Sequence, residues 1–319
     1  MRTPVNELKP GPIDQLFLVA VADHPQTKTQ KIYIRMTLSD KTGSVTGIDW
    51  EPSPSRLGLK AGDVIRVVGT YSVDAQYGPQ IKIKATSKAK APNEYDESDF
   101  AQGFPNDIKT VASQFTALQE ILPEEYGRFI NEVLAPTGRF KDWWTAPAAT
   151  TLHQGYREGL FEHSVQVAHM VYWAAEAWCP EADSTVLIVA GLLHDLGKVV
   201  EYDGPVTRQL TTMGKLYGNT MLSCSLVSDE MVRLGLKVGE PQNQNILHCI
   251  LAHHGRRERG SPVIPQTIEA ALIHQADQMS AKIGAYQRIV RDTPVDAEWS
   301  QRDTVFDGAM WLLPGRREA

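Results

Sequence analysis

The sequence predicts a multidomain protein of α and β structure, with an N-terminal five-stranded β-barrel followed by an all-α domain. Short runs rich in β-forming residues, separated by turn residues, occupy the first 90 residues, whereas apolar residues at helical spacing begin near residue 107. A polar stretch with a proline, residues 88–99, separates the two patterns. At 319 residues the chain exceeds the usual span of one compact domain, which agrees with this division.

Five runs in the first segment have the length and composition of β-strands. In chain order they are residues 16–22, 31–38, 44–50, 63–73 and 80–86. Asp-Lys-Thr-Gly at residues 40–43 supplies a hairpin turn, and residues 52–60 form a longer connection between the third and fourth runs. Five strands with a long link between the third and fourth resemble an OB-fold.

Apolar and polar residues alternate along these strands, which leaves aromatic and basic side chains on one face. The resemblance to an OB-fold implies that this face binds single-stranded nucleic acid through a basic groove and base stacking. The candidates for that surface are Tyr33, Arg35, Trp50, Tyr71, Tyr77, Lys82 and Lys84. Each aromatic side chain could instead pack in the core or against a hairpin, and the sequence leaves both interpretations open.

Charge is unevenly distributed along the chain. The net charge is −6, yet the first 90 residues hold 13 Lys and Arg against 8 Asp and Glu. A basic module joined to an acidic one is compatible with nucleic acid on the first and metal on the second. The longest apolar run, residues 186–193, is too short to span a bilayer, and no apolar signal region begins the chain. We therefore expect a cytoplasmic protein with no membrane partner. The three cysteines favour neither disulfides nor a thiolate zinc site.

An ionisable pair, His194-Asp195, stands at the end of the apolar run. An unpaired charge at the edge of a core costs several kcal/mol, so the pair is favoured if it binds a cation. Imidazole beside carboxylate suits a borderline or hard divalent metal. Gly197 is predicted to end the helix, with Lys198 just beyond it. These residues alone are equally compatible with a helix end that has a capping histidine and a solvated aspartate.

Helical spacing supplies more candidate ligands. His163 is predicted to face inward, whereas His169 should lie with Glu162 on the solvent side of the same helix. A lone inward histidine is usually a core residue, but Asp277 on a later apolar stripe also needs a partner. Between them a helix ends with the paired histidines His253 and His254 before a glycine. Chance rarely places these groups on successive helices.

These residues resemble the HD-domain phosphohydrolases, which are named for a His-Asp pair that binds divalent ions. Together with the OB-like start, the chain is similar to the YhaM-type 3′-to-5′ exoribonucleases over about residues 13–285. The matching stretches are residues 38–43, 159–163, 194–198, 251–255 and 260–263. The resemblance implies that the divalent ion is held by His163, His194, Asp195 and Asp277. It does not distinguish among Mn, Mg, Co, Fe and Zn.

The resemblance also implies further roles around the ion. Lys198 and either His253 or His254 would neutralise the phosphate or protonate the leaving oxygen, and His153 would lie at the substrate rim. Two positions depart from the family pattern. Asn219 stands where a histidine is usual, and Glu158 stands in what is generally a Gly-Gly pair. The region of a second ion would comprise Asn219, His253 and His254, so we expect one tight ion per chain.

We predict four segments: an OB-fold nucleic-acid-binding domain at residues 1–90, a linker with bracing helices at 91–147, an HD phosphohydrolase domain at 148–290, and a tail at 291–319. The leading hypothesis is a metal-dependent 3′-to-5′ exonuclease of single-stranded RNA, with DNA not excluded, that releases nucleoside monophosphates. One alternative is a phosphohydrolase of free or cyclic nucleotides with a regulatory OB module. Another is a nucleic-acid-binding protein with a degenerate HD site. The sequence leaves a homo-oligomer open.

Overall fold

The structure is a computed structural model that describes residues 2–27, 29–60, 62–74, 78–89, 94–95, 99–100, 108–149, 154–203, 209–293 and 297–313. The chain divides into two compact units. The first holds the N-terminal barrel and the C-terminal segment from residue 289, and the second holds the helical part up to residue 288. None of the helices in the described ranges is long and apolar enough to cross a membrane.

The first unit is built on a closed five-stranded barrel with the strand order β1-β2-β3-β5-β4. Its strands are β1 (Gly11–Asp23), β2 (Ile34–Asp40), β3 (Gly43–Asp49), β4 (Val64–Asp74) and β5 (Gly78–Lys88). Only the β3–β5 pairing is parallel among the barrel ladders, and β1 closes the barrel by pairing with both β2 and β4. The predicted five-stranded OB-fold is therefore confirmed.

Local chemistry explains why these strands close. The Asp40 carboxylate accepts hydrogen bonds from the Thr42 amide at 2.7 Å and the Val5 amide at 3.0 Å, which fixes the tight β2–β3 turn. A register shift lies between Val68 and Gly69 on β4. A Cβ on Gly69 would stand only 2.4 Å from the Lys82 carbonyl oxygen, so glycine permits the close approach of β5 at this bulge.

The second unit is helical in the part that the structure describes. Its helices are α1 (Ile108–Ile121), α2 (Glu124–Val133), α3 (Gly159–Trp178), α4 (Ser184–Leu193), α5 (Lys198–Glu201), α6 (Thr212–Leu234), α7 (Pro241–Ala252) and α8 (Ile268–Asp292). A small two-stranded sheet pairs β6 (Tyr202–Asp203) with β7 (Gln209–Leu210). Helices α1 and α2 lie within the segment 91–147, where bracing helices were predicted.

Helix α4 lies at the centre of this unit because it has no polar face. Every residue from Thr185 to Leu193 is buried, and α4 packs against α3 and α7. Asp183 begins the helix by accepting hydrogen bonds from the amides of Thr185 and Val186. Trp143 is fully buried against Phe115 and Phe161, so the segment before α3 packs into the core of this unit.

Candidate metal centre

Four helix ends and faces carry the candidate ligands. His163 lies in the first turns of α3, whose start is tightly constrained. Glu158 precedes the helix with a φ of 72°, a left-handed conformation that favours glycine. A Cβ on Gly159 would lie 2.0 Å from the Gln154 carbonyl oxygen. This geometry explains a preference for glycine at both positions, and Glu158 takes on backbone strain of order 1 kcal/mol in adopting it.

His194 and Asp195 follow α4 directly, because that helix ends at Leu193. The prediction that Gly197 ends the helix is wrong: α4 ends at Leu193, and Gly197 has a φ of −58° and directly precedes α5. Glycine is required at position 197 because there is no room for a side chain. A Cβ there would stand 2.4 Å from the Asn219 carbonyl oxygen and 2.6 Å from the Ser223 amide nitrogen. The turn that carries the His-Asp pair is thus pressed against the backbone of α6.

His253 and His254 follow the last residue of α7. The chain then turns at Gly255, which has a φ of 77° and whose Cβ, if present, would lie 2.2 Å from the ring of His274. His274 Nδ1 bonds the His253 carbonyl oxygen at 2.7 Å. His274 therefore holds the turn that presents the paired histidines, whereas His248 accepts a hydrogen bond from the Gln266 amide.

The imidazoles and carboxylates converge at one buried point. His163 Nε2 lies 3.2 Å from His194 Nε2 and 3.2 Å from Asp277 Oδ1. Asp195 Oδ2 lies 3.5 Å from His163 Nε2 and 3.4 Å from His194 Nε2. His253 Nε2 lies 3.7 Å from Asp195 Oδ1. Ligand atoms of His163, His194 and Asp277 all fall within 4.8 Å of one another, which is close enough to share one ion.

Hydrogen bonds on the far side of the rings orient this cluster. Nδ1 of His194 lies 2.8 Å from the Gly191 carbonyl oxygen, and Nδ1 of His253 lies 2.7 Å from that of Ile250. A carbonyl oxygen only accepts, so in the neutral rings Nδ1 carries the proton and Nε2 carries the unshared pair. His253 Nε2 is buried and has no hydrogen-bond partner among the described residues. Unshared pairs beside carboxylates in a buried cluster fit a divalent cation.

Comparison with known protein families places the HD domain at residues 160–282. Residues 160–282 are an HD domain. The predicted resemblance to YhaM-type proteins is likewise confirmed along nearly the whole chain. The protein called 3′-5′ exoribonuclease YhaM from Halalkalibacterium halodurans is 28% identical over 313 residues, which cover 96% of this chain and 94% of that protein. The protein of that name from Listeria welshimeri is 26% identical over 309 residues, covering 95% of this chain and 96% of that protein.

Among solved structures, the second OB-fold domain of replication protein A from Methanococcus maripaludis matches at 22% identity with a TM-score of 0.22. It covers 30% of this chain and 100% of that domain. The barrel connectivity described above, and not this weak likeness, carries the assignment of the N-terminal fold.

Within the HD domain, both oxygens of Asp195 have partners. Lys198 Nζ lies 2.6 Å from Oδ2, and the Asn219 side-chain amide donates to Oδ1 at 2.7 Å. The Asn219 backbone amide donates to Glu201 Oε1 at 3.1 Å. Glu201 is buried beside the site, and the sequence did not single it out because the four-residue helix α5, which it ends, is too short to show a periodic pattern. Burial raises the pKa of Glu201.

The HD domain perturbs the protonation of its buried groups in opposite directions. Burial lowers the pKa of His163, and burial together with His254 lowers the pKa of His253 to about 3. Burial acts to lower the pKa of His194, but Asp195, Asp277 and the Gly191 carbonyl together outweigh burial, and the pKa is raised. Burial acts to raise the pKa of Asp195, yet Lys198 and His194 hold it well below the ordinary value. Both carboxylates are therefore ionised and available to a cation, since the pKa of Asp277 is lowered as well.

Two residues of α3, His169 and Glu162, were predicted to lie on its solvent side. His169 is half-buried and accepts a hydrogen bond from the Trp173 indole. The expected solvent position of Glu162 is wrong, because its side chain is fully buried against Tyr156. Helix α3 is covered on the side that its sequence left polar. The predicted rim residue His153 lies outside the described residues.

The barrel presents a separate set of candidates. Tyr33 stacks on Trp50 with ring centroids 4.7 Å apart, and Trp50 remains 46% exposed. Arg35 is exposed and pairs with Asp23 at 3.3 Å, and the alternation on β5 exposes two lysines. Those lysines are Lys82 and Lys84. Tyr71 is only 8% exposed and lies in the barrel core, so it leaves the set of surface candidates. Tyr77 lies outside the described residues.

Proposed function

We propose that this protein is a metal-dependent 3′-to-5′ exonuclease that hydrolyses single-stranded nucleic acid, with RNA favoured, to nucleoside monophosphates. The observation that carries the proposal is the buried convergence of the Nε2 atoms of His163 and His194 with two ionised carboxylates inside an HD domain. The relatives of matching length are named 3′-5′ exoribonucleases, which supports both the RNA substrate and the direction.

We assign His163, His194, Asp195 and Asp277 as the residues that would hold the ion. A divalent ion bound there supplies a Lewis acid that polarises phosphoryl oxygen and makes water a stronger acid. The HD domain implies such an ion, and the donor set of nitrogen and oxygen excludes only thiolate-dependent sites.

Lys198 is the cation best placed to act on the substrate. Its Nζ lies 2.6 Å from Asp195 Oδ2, one of the oxygens that would hold the ion, so it would lie beside a phosphate bound at the site. There it would neutralise charge that develops on the phosphoryl oxygens. The lowered pKa values of His253 and His254 keep both rings neutral near pH 7, which favours ligation or hydrogen bonding over proton donation.

We further propose one tight ion per chain. Asn219 directs its amide nitrogen, a donor, at Asp195 Oδ1. An amide is a weaker ligand for transition metals than imidazole, so a second ion beside Asn219 would bind less tightly. His253 and His254 would then serve a second ion only when substrate phosphate adds further oxygens.

The barrel is proposed to hold the single strand upstream of the cleaved bond. The Tyr33–Trp50 stack offers a half-exposed aromatic face, and each stacked base contributes about 1 to 3 kcal/mol. Lys82 and Lys84 add phosphate contacts that weaken with salt. Stacking tolerates every base, so this surface supports a substrate of any sequence.

The test is digestion of 5′-labelled RNA and DNA strands in the presence of Mn, Mg, Co, Fe or Zn ions. A metal-dependent ladder that shortens from the 3′ end and ends in short fragments is expected, with RNA degraded faster. Turnover of free or cyclic nucleotides without a ladder would replace the proposal by the mononucleotide phosphohydrolase. Strand binding without hydrolysis under any ion would indicate a degenerate site.

A further inference from the structure

A buried chain of hydrogen bonds leads from His163 away from the metal centre. His163 Nδ1 lies 2.9 Å from Ser280 Oγ on α8. Ser280 Oγ lies 2.8 Å from Gln166 Oε1 on α3, and Gln166 Nε2 lies 3.0 Å from Glu162 Oε1. Tyr156 donates its hydroxyl proton to the other Glu162 oxygen. His163, Ser280 and Glu162 are fully buried, so water does not compete for these bonds.

The direction of this chain is set at Glu162. Both Glu162 oxygens accept hydrogen bonds, one from the Tyr156 hydroxyl and one from Gln166 Nε2, so the Gln166 side chain turns its NH₂ group toward Glu162. Its Oε1 then faces Ser280 and also accepts from Gln154 Nε2 at 2.9 Å. A rotated Gln166 amide would set its oxygen against the carboxylate. The orientation of this amide therefore follows from its neighbours.

The orientation of Gln166 also decides which atom is the donor in the hydrogen bond between Ser280 and His163. A serine hydroxyl has one proton, and the Gln166 oxygen receives it. Ser280 Oγ then accepts hydrogen bonds at its two lone pairs, one from Gln154 Nε2 at 3.2 Å and one from His163 Nδ1 at 2.9 Å. The neutral His163 ring consequently carries its unshared pair on Nε2, the atom that lies 3.2 Å from both Asp277 Oδ1 and His194 Nε2.

We infer that Ser280 is a positioning residue that fixes the tautomer of His163 and so prepares that ring to bind the ion. The inference rests on the proposed role of His163 as a ligand. If Nδ1 lost its acceptor, Asp277 would draw the proton to Nε2, and the ring could not ligate until that proton left. His194 and His253 bond backbone carbonyls at Nδ1, whereas His163 depends on a side chain that can be changed.

The test compares Ser280→Ala with Ser164→Ala. Ser164 is equally buried on α3, and its hydroxyl has no hydrogen-bond partner among the described residues, so it controls for loss of a buried oxygen. Titration calorimetry with Mn²⁺ should show about 10- to 100-fold weaker binding for Ser280→Ala, the usual cost of losing an outer partner of a ligand. Ser164→Ala should bind as the wild type does.

Nitrogen NMR of ¹⁵N-histidine-labelled, metal-free protein gives a readout that folding alone does not move. At about pH 8, above the ordinary histidine pKa of about 6.5, His163 should carry its proton on Nδ1 in the wild type and on Nε2 in Ser280→Ala. The His163→Gln spectrum assigns the signal. Should Ser280→Ala fail to fold, Gln166→Met removes the acceptor of the Ser280 proton and should shift the His163 proton toward Nε2.

Wild-type Mn²⁺ affinity in Ser280→Ala, or an unchanged His163 tautomer in a folded variant, would overturn the inference. Equal losses of affinity in the two serine variants would also overturn it, because a general packing defect would then account for both. If the wild-type protein and His194→Ala both show no Mn²⁺ binding in the same calorimetry, the proposed metal centre is wrong, and the role of Ser280 falls with it. The two failures are therefore distinguishable.

Discussion

Replacement of Gly197 by alanine tests how the HD domain holds its His-Asp pair. The added Cβ would meet the Asn219 carbonyl oxygen at 2.4 Å, the Ser223 amide nitrogen at 2.6 Å and the Leu222 Cβ at 2.9 Å. None of these atoms is the far end of a flexible side chain, so the turn must move away from α6. Overpacking of this kind costs about 1 to 3 kcal/mol, and contact with backbone places Gly197→Ala at the upper end, near 3 kcal/mol.

The same movement should displace the residues that directly precede the glycine. Asp195 loses its geometry relative to Asn219, and we expect Mn²⁺ affinity to fall by roughly tenfold or more, as for other disturbed outer contacts. Urea unfolding in EDTA, followed by far-ultraviolet circular dichroism, reports the stability of the helical unit without metal. Calorimetry reports the affinity.

Gly239 supplies the matched control, because a Cβ there meets nothing within 4 Å and its φ is not in the left-handed region. Gly239→Ala should leave the free energy of unfolding within about 0.5 kcal/mol of wild type, or raise it slightly through the unfolded chain. If Gly197→Ala matched Gly239→Ala in both stability and Mn²⁺ affinity, close packing of the turn against α6 could not be the reason for the glycine.

Four other results are expected. Asp195→Ala should abolish hydrolysis by lowering kcat and not merely raise KM, whereas His169→Ala should retain activity; similar losses in steady-state assays would show that the helix faces are misassigned. Asn219→His should raise the metal content measured by elemental analysis from about one ion per chain toward two, and a wild-type content of two would contradict this. Trp50→Ala should weaken oligonucleotide binding, followed by fluorescence anisotropy, by about 1 to 3 kcal/mol while hydrolysis of very short strands persists. The pKa of His253 is lowered to about 3 in the folded protein, so the unfolded chain protonates this histidine more readily. The free energy of unfolding should therefore be unaffected by His253 above the unfolded pKa of about 6.5 and should fall as the pH is lowered from there toward 3. His253→Gln should flatten this loss in urea titrations of metal-free protein, and an unchanged slope would contradict the assignment.

Much of the architecture was predictable because its signals are local. Alternation along β2 and β5 depends only on adjacent residues, so the sequence predicts the five strands of the barrel. The His194-Asp195 pair was recognised for a similar reason, since an apolar run that ends in two ionisable residues demands a partner for them.

Tyr71 shows where such a signal becomes ambiguous. Strand β4 contains adjacent apolar residues at 64–65 and 67–68, so two opposite phases of alternation fit its sequence. Barrel closure selects the phase that buries Ile65, Val67 and Tyr71 and leaves Val68 exposed. The pairing of β4 with β1 and β5 decides which face of β4 is buried, and this pairing joins residues that are far apart in the sequence.

The sequence by itself determined the order of the two folds and the residue types that can hold a divalent ion. Only the tertiary structure decided how those residues are oriented. Glu162 was expected in solvent and is buried, because Tyr156 and the chain through Gln166 to Ser280 cover that face of α3. Gly197 was expected to cap a helix and instead makes room for α6. In both cases the burial or the close contact depends on how separate segments pack together, and the periodicity of one segment carries no information about such packing.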